Sequence, residues 1–172
     1  MSERLKAEIK ETAESLVIAV ILALIIRAFI VQAFYIPSGS MEPTLNVGDR
    51  ILVSKFIYHF RQPVYGDVVV FKFPGDTSRD FIKRVVGLPG DVISVSEGKL
   101  HRNGKPITEE YIKERIYYDF GPVEVPPGNL FVMGDNRNNS NDSHEWGTLP
   151  RANLLGKALV VYWPMLKMRA IR

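Results

Sequence analysis

The sequence predicts a mostly β protein: an antiparallel β-sheet domain behind one N-terminal transmembrane helix. Three observations predict it. An apolar run from Leu16 to Ile36 is broken only by Arg27 and Gln32. Beyond it, helix-period stripes vanish and short β-branched and aromatic runs take over. Those runs are divided by Gly, Pro, Asn and Asp, the residues of tight turns. A chain of 172 residues is long enough for one core of ordinary size.

Residues 1–15 read as a short polar lead, mixing Glu and Lys, on the cytoplasmic side. As a helix, residues 16–36 would run about 31 Å, close to the roughly 30 Å hydrocarbon thickness of a bilayer. A buried core helix would show a polar face, and Leu16 to Ile26 shows none. A cleaved targeting segment would end in a small-x-small site, and no clean one follows. The run is therefore expected to remain as a membrane anchor. Arg27 is its awkward residue, since a mid-span arginine costs a few kcal/mol unless it snorkels. Arg4, Lys6 and Lys10 precede the span, while Arg50 and Lys55 follow at a distance. The positive-inside rule then favours a cytoplasmic N-terminus, with residues 37–172 outside the cytoplasm.

Strands are expected at 50–53, 67–73, 80–86, 91–96, 99–102, 123–125, 129–133 and 157–162. Turns fall at 74–76, 88–91, 103–106 and 126–128. Asn103-Gly104 has good hairpin chemistry, because both residues tolerate positive φ. Residues 108–114 read as one helical turn or an excursion. Trp163-Pro164 reads as core and strand end.

Composition excludes several functions. Net charge is +3, and Lys and Arg are scattered, with no basic stripe interleaved with aromatics. No nucleic-acid partner is expected. The absence of cysteine excludes disulfides, zinc-thiolate sites and thiol nucleophiles. GDNRNNSNDS at 134–143 is dense in oxygen ligands but fails as a calcium loop. Arg137 takes a ligand position, no glycine stands sixth from Asp135, and Trp146 occupies the place of the bidentate Glu. Taken alone it is an Asx-turn-rich surface loop. No metal and no cofactor is expected. Ser96-Glu97-Gly98-Lys99 spells S-x-x-K, but that motif needs a helix and Gly98 opposes one.

PSGSMEPTL at 37–45 places Ser40 in a turn directly behind the apolar run. A serine hydroxyl is inert unless a base takes its proton. Of the three histidines, His59 ends an apolar stretch and His101 sits in a hairpin arm, and neither lies in a turn rich in Asp or Gly. A Ser-His-Asp triad is therefore disfavoured. Lysine can serve if burial lowers its pKa from the ordinary value of about 10.4. Alternation puts Phe81, Lys83 and Val85 on one face of a strand, and Ile82, Arg84 and Val86 on the other. Lys72 shares a face with Val68 and Val70. The pattern favours Lys83, because the LPGD turn fixes its strand end. Lys72 stays open, as does an edge position with the amine in water.

PSGSMEPTL, DFIKRVVGLPGD and GDNRNNSNDSHEWG, in that order behind an apolar span, resemble the type I signal peptidases. The resemblance runs from about Phe34 to Pro150. It implies a mostly antiparallel β fold, a location in the cell membrane with the N-terminus cytoplasmic, and signal-peptide-bearing preproteins cleaved after small residues of the Ala-x-Ala type. It implies Ser40 as acylating nucleophile and Lys83 as general base. Ser38 would help form the oxyanion hole with the Ser40 amide, Ser140 would orient the lysine, and Asp142 would support the site. Phe34, Ile36, Val70 and Ile82 would line small apolar pockets, although alternation aims Ile82 away from Lys83. Gly39 would let the backbone turn sharply. Asn138 and His144 depart from the family pattern, where an acidic and a basic residue are common, so a salt-bridge network there would be absent or remade. The short chain leaves room only for a small second domain, within residues 97–128. Two other readings stand beside this one. A membrane-anchored β module that only binds peptides needs no buried lysine beside the serine turn. A self-cleaving repressor peptidase would carry a DNA-binding helix-turn-helix where this chain has an apolar span.

Overall fold

A computed structural model describes residues 3–25 and 30–172. Helix α1 spans Glu3–Ile25. Strand β1 follows at Val31–Tyr35, β2 at Arg50–Ser54, and a single turn of helix, α2, at Ile57–Phe60. Strands β3 (Val68–Phe73) and β4 (Asp76–Gly87) form a long hairpin. Next come β5 (Val92–Ser96), β6 (Lys99–Arg102), β7 (Lys105–Pro106), β8 (Phe120–Glu124) and β9 (Asn129–Met133). A short helix α3 (Ser143–Trp146), β10 (Leu149–Pro150), β11 (Leu154–Trp163) and β12 (Arg169–Ala170) complete the chain.

The main sheet runs β1-β2-β11-β3-β4-β9-β10, with β12 added to β11, and every pair is antiparallel. A second sheet, β7-β6-β5-β8, is also antiparallel. It takes in residues 92–96, ahead of the segment expected to hold the second domain. Residues 108–114 are an excursion without a helical turn.

Strand β3 shows why the main sheet is covered on both sides. Val68 and Val70 enter one core with Ile36, Met41, Leu45 and Ile51, while Val69 and Phe71 enter another with Val85, Leu130 and Leu149. An unbroken apolar run is what a strand buried on both faces requires. Each such side chain contributes about 1.5–3 kcal/mol of transfer free energy. A third core, around Ile93, Leu100, Phe131 and Met133, lies where the second sheet meets β9.

Two expectations at the chain's start are corrected. The run 16–36 is not one helix. Helix α1, described as far as Ile25, already includes most of the polar lead. Val31–Tyr35 is a strand, pairing Val31 with Ser54 through to Tyr35 with Arg50. Apolarity alone does not distinguish a spanning helix from a helix followed by a strand, and the VQAFY stretch has the β-branched and aromatic content that pairing rewards. Residues 26–29, including Arg27, lie outside the described residues. No helix among the described residues is long and apolar enough to cross a membrane. Trp163 does end β11, but it is half exposed rather than core.

Asn103 and Gly104 both take positive φ between β6 and β7, as a two-residue hairpin demands. Glu97 and Gly98 do the same between β5 and β6, which turns S-x-x-K into a hairpin and not a helix.

Gly156 gives the fold its first test. A Cβ there would overlap the Ser54 carbonyl and the Val53 side chain across the β11–β2 pair. Backbone cannot yield as a flexible side chain can. Gly156→Ala is expected to cost about 1–3 kcal/mol, read as a lower urea midpoint with an unchanged slope.

Candidate active site

The segment between β1 and β2 supplies the serine. Met41 and Leu45 are fully buried, and the Leu45 N–H donates to the Met41 carbonyl over 2.8 Å. The Glu42 N–H donates to the Gly39 carbonyl at 3.1 Å. These two anchors pin the turn while Ser40 remains half-buried at its rim. Gly39 does not adopt positive φ, so the turn does not depend on glycine's left-handed freedom. What a side chain there would meet is the Glu42 carboxylate, with a Cβ at 3.1 Å from Oε1.

Asn136, which the sequence reading passed over, clamps the same turn from below. Its N–H donates to the Ser40 carbonyl at 3.1 Å, and its side-chain amide donates to the Gly39 carbonyl at 3.1 Å. An Asn one residue past a buried Asp in a loop was the only signal. The role becomes visible only when the loop is folded against residues 39 and 40. Gly134 is the point of closest approach, since a Cβ there would overlap Ser140 Oγ and the Ser40 carbonyl.

Strand β4 supplies the lysine. Lys83 Nζ lies 2.8 Å from Ser40 Oγ, and the residue is only 4% exposed. Burial lowers its pKa from 10.5 to about 8, against the opposing attraction of the Asp142 and Asp135 carboxylates. The amine also sits 5.5 Å from the centroid of the Phe81 ring. Lys72 is elsewhere, with 47% of its side chain exposed and its amine 3.6 Å from Asp80. The alternative left open by the pattern is thereby removed.

Buried charges surround the pair. Arg84 grips Asp135 through two bonds of 2.8 and 2.7 Å, and its guanidinium stacks 3.9 Å from the Tyr111 ring centroid. Arg137 makes two 2.7 Å bonds to Glu109, joining the third motif to the 108–114 excursion. Asp142 is fully buried. It accepts from the Gly134 N–H at 2.8 Å and pairs with His144 Nδ1 at 2.7 Å. The bond from Asp142 raises the His144 pKa, against the effect of burial. Asn138 accepts from the Tyr117 N–H and donates to the Arg115 carbonyl. The departures at 138 and 144 thus give a remade network in place of a missing one.

A cavity of about 470 Å³ opens over this pair. Ser38, Ser40, Ile82 and Lys83 line it, with Arg79 and Asp80 toward the tip of the β3–β4 hairpin. Alternation aimed Ile82 away from Lys83, yet both reach the cavity. The reason is the sheet edge. Strand β9 pairs with β4 only from Arg84 to Gly87, so the outer edge of β4 before Arg84 has no strand partner among the described residues. A cavity at a free edge meets side chains of both faces. Phe34, Ile36 and Val70 do not line it; they pack with Ile82 in the core beneath. Ser140 is buried, but its hydroxyl has no hydrogen-bond partner among the described residues, Lys83 included. Among the described residues no cluster of His, Asp and Glu could hold a metal ion.

A neutral amine within hydrogen-bond reach of a hydroxyl can remove its proton, and a cavity beside it can hold an acyl group for attack. Comparisons with known proteins give the family. The family model described as signal peptidase, peptidase S26, matches residues 9–163. The chain is 49% identical over 163 residues to a protein named probable signal peptidase I-1 from Synechocystis, covering 91% of this chain and 83% of the relative. It is 36% identical over 176 residues to a signal peptidase I from Bacillus licheniformis, covering 95% and 94%. A crystal structure of a signal peptidase I from Enterococcus faecalis superposes with a TM-score of 0.51 at 29% identity, covering 56% of this chain and 97% of that one. With a family model spanning most of its length and relatives this similar, the chain belongs to the signal peptidase I family of serine peptidases, which cleave signal peptides from secreted preproteins.

Proposed function

We propose that Ser40 and Lys83 form the catalytic dyad of this signal peptidase. The observation that carries the reading is the 2.8 Å contact between Ser40 Oγ and a buried Lys83 Nζ. Neutral Lys83 accepts the Ser40 proton as Oγ attacks the carbonyl carbon of the scissile bond. The Ser40 N–H and the Ser38 hydroxyl stabilise the oxyanion; donors so placed are each worth about 3 kcal/mol. Protonated Lys83 then returns its proton to the leaving amine, giving an ester on Ser40. Water, deprotonated by the same amine, hydrolyses that ester. Ser140 and Asp142 hold the lysine's surroundings. The free edge of β4 offers backbone groups to an extended substrate, the geometry of strand addition. Ile82 faces that substrate, with Phe34, Ile36 and Val70 shaping the pocket from behind, and the small apolar space selects alanine-sized residues before the cleaved bond.

Membrane attachment is part of the proposal. Leu16, Val17, Ile18, Val20, Ile21, Leu22 and Leu24 are each half or more exposed around α1. Such a helix end is costly in water and stable in lipid. Residues 16–24 of α1 therefore anchor the chain in the cell membrane, with the N-terminus cytoplasmic and the sheets on the far side. The substrate's own signal sequence is held in the same bilayer, which raises its effective concentration at Ser40.

Three measurements test these assignments. Ser40→Ala and Lys83→Ala in the detergent-solubilised protein are expected to abolish cleavage of a preprotein ending its signal in Ala-x-Ala, with circular dichroism unchanged. Wild-type kcat/KM should fall about tenfold per pH unit below an acid limb near pH 8, where Lys83 gains its proton. A flat profile, or cleavage by either variant, overturns the dyad. The second measurement is stability. The folded pKa of Lys83 lies below its unfolded value of 10.5, so the unfolded state binds more protons between pH 8 and 10.5 and stability rises across that window. Below pH 8 the penalty is fully present, roughly 3 kcal/mol at about 1.4 kcal/mol per pH unit. Lys83→Met should therefore be more stable than wild type at pH 7, and the advantage should disappear by pH 11. The third concerns the anchor. In membranes the chain should resist alkaline extraction, and protease added from the cytoplasmic side should leave residues 37–172 intact.

A further inference from the structure

Two carboxylates act on Lys83 through their charge, Asp142 and Asp135. Their own counter-ions differ. Asp135 is held by Arg84 in a buried two-bond pair, and an arginine keeps its charge at every pH of interest. Asp142 is held by His144, 2.7 Å away, and an imidazole does not. We infer that His144 is a positioning residue for Lys83: as the titratable counter-ion of Asp142, its proton decides how much of that carboxylate's charge reaches the lysine amine. The inference rests on the reading of Lys83 as the base.

The geometry holds His144 to that task. Its ring stacks on Tyr118 at 4.4 Å with planes 16° apart, and the Phe120 ring of β8 meets it edge-on at 6.4 Å. Nδ1 is fixed on Asp142, while Nε2 faces Glu145 at 3.8 Å near solvent. Asp142 cannot swing away, because the Gly134 N–H and the His144 N–H also donate to it. The remaining charges in the neighbourhood are matched. Arg137 pairs with Glu109, and Arg84 with Asp135. Burial pushes the Tyr118 phenol up, so it stays neutral. Glu145 is largely exposed and screened by water. Lys83 and His144 are left as the groups whose charge changes near neutrality, with the Asp142 carboxylate shared between them.

The consequence has a definite sign. When His144 is protonated it cancels Asp142, and the lysine loses its proton more readily. When His144 is neutral, Asp142 acts in full and holds the ammonium. A permanent cation at 144 should therefore move the acid limb of kcat/KM to lower pH. A neutral hydrogen-bonding residue should move it to higher pH.

The test compares His144→Arg, His144→Lys and His144→Gln with wild type, using the solubilised full chain and the Ala-x-Ala preprotein across pH 6–10. The cationic variants should place the limb about half a pH unit below that of the glutamine variant, with wild type between them, a modest effect for one charge several ångströms away at an effective dielectric of about 20. A purely structural role would lower activity in all three without opposite shifts, and that result overturns the inference. So does an unmoved limb. Should the variants fold poorly, the coupling is read in the reverse direction without activity, because linkage is reciprocal. The His144 pKa, followed by NMR, should rise in Lys83→Met relative to wild type; equal values overturn the inference. Retained cleavage by Lys83→Ala would instead remove Lys83 as the base, and that outcome is separate.

Discussion

The structure depends on holding one amine away from water and within 2.8 Å of one hydroxyl. Desolvation is the largest influence on that amine and brings its pKa to about 8. An isolated buried ammonium would be far more costly, so the site neither exposes Lys83 nor isolates it. Two carboxylates lie close enough to temper the penalty without forming a direct ion pair. A direct pair would fix the proton on the lysine and bar it from the proposed role of base. The useful condition lies between these extremes, and each neighbouring feature can be understood as keeping it there. Asn136 and Met41 hold the serine turn. Residues Val69 and Lys83 face each other across the β3–β4 pair and fix the lysine's height. Arg84 takes up the charge of Asp135, so the lysine need not.

That arrangement is expensive in stability. Arg84, Arg137, Asp135 and Asp142 are all at most 1% exposed. Buried ion pairs seldom add net stability over well-packed apolar residues. What these pairs do here is geometric. Arg84 also reaches the Gly66 carbonyl, Thr44 and the Arg172 carbonyl, so one side chain ties the serine segment to β4, to the third motif and to the last residue. Arg137 and Glu109 tie the same motif to the excursion beneath the second sheet. The second sheet thus braces the loop that positions Asn136, Ser140 and Asp142.

Much of this was legible in the sequence, and the reasons differ by element. Strand β3 was clear because VVVFKF has no other sensible state next to a turn, and β6–β7 because Asn-Gly dictates its hairpin. The preference for Lys83 over Lys72 came from strand alternation and the following turn. The fold explains it more deeply, since β9 covers β4 just where Lys83 ends and leaves the neighbourhood of Lys72 to solvent. Alternation failed for Ile82, because side chains of opposite faces converge at an unpaired edge. It also failed for β1, where an apolar run conceals a change from helix to strand. Asn136 and the Arg84–Asp135 pair went unnoticed because they are contacts between residues far apart in the chain, and no local period encodes such a contact.

The unpaired edge of β4 connects fold and reaction. An exposed edge strand is a hazard, since it invites pairing with any other chain. Arg79 and Asp80 stand on the edge strand itself, with Lys72 of β3 reaching Asp80, and charges there discourage indiscriminate association. On the proposed mode of binding the edge cannot simply be covered, because the same backbone groups are the ones an extended substrate would need. On that proposal, charge along the rim and a small apolar space at Ile82 would leave a narrow class of chains able to settle: extended, and slender where they pass the serine. The edge is therefore left open only for as many residues as it takes to reach Lys83, and at Arg84 strand β9 closes it.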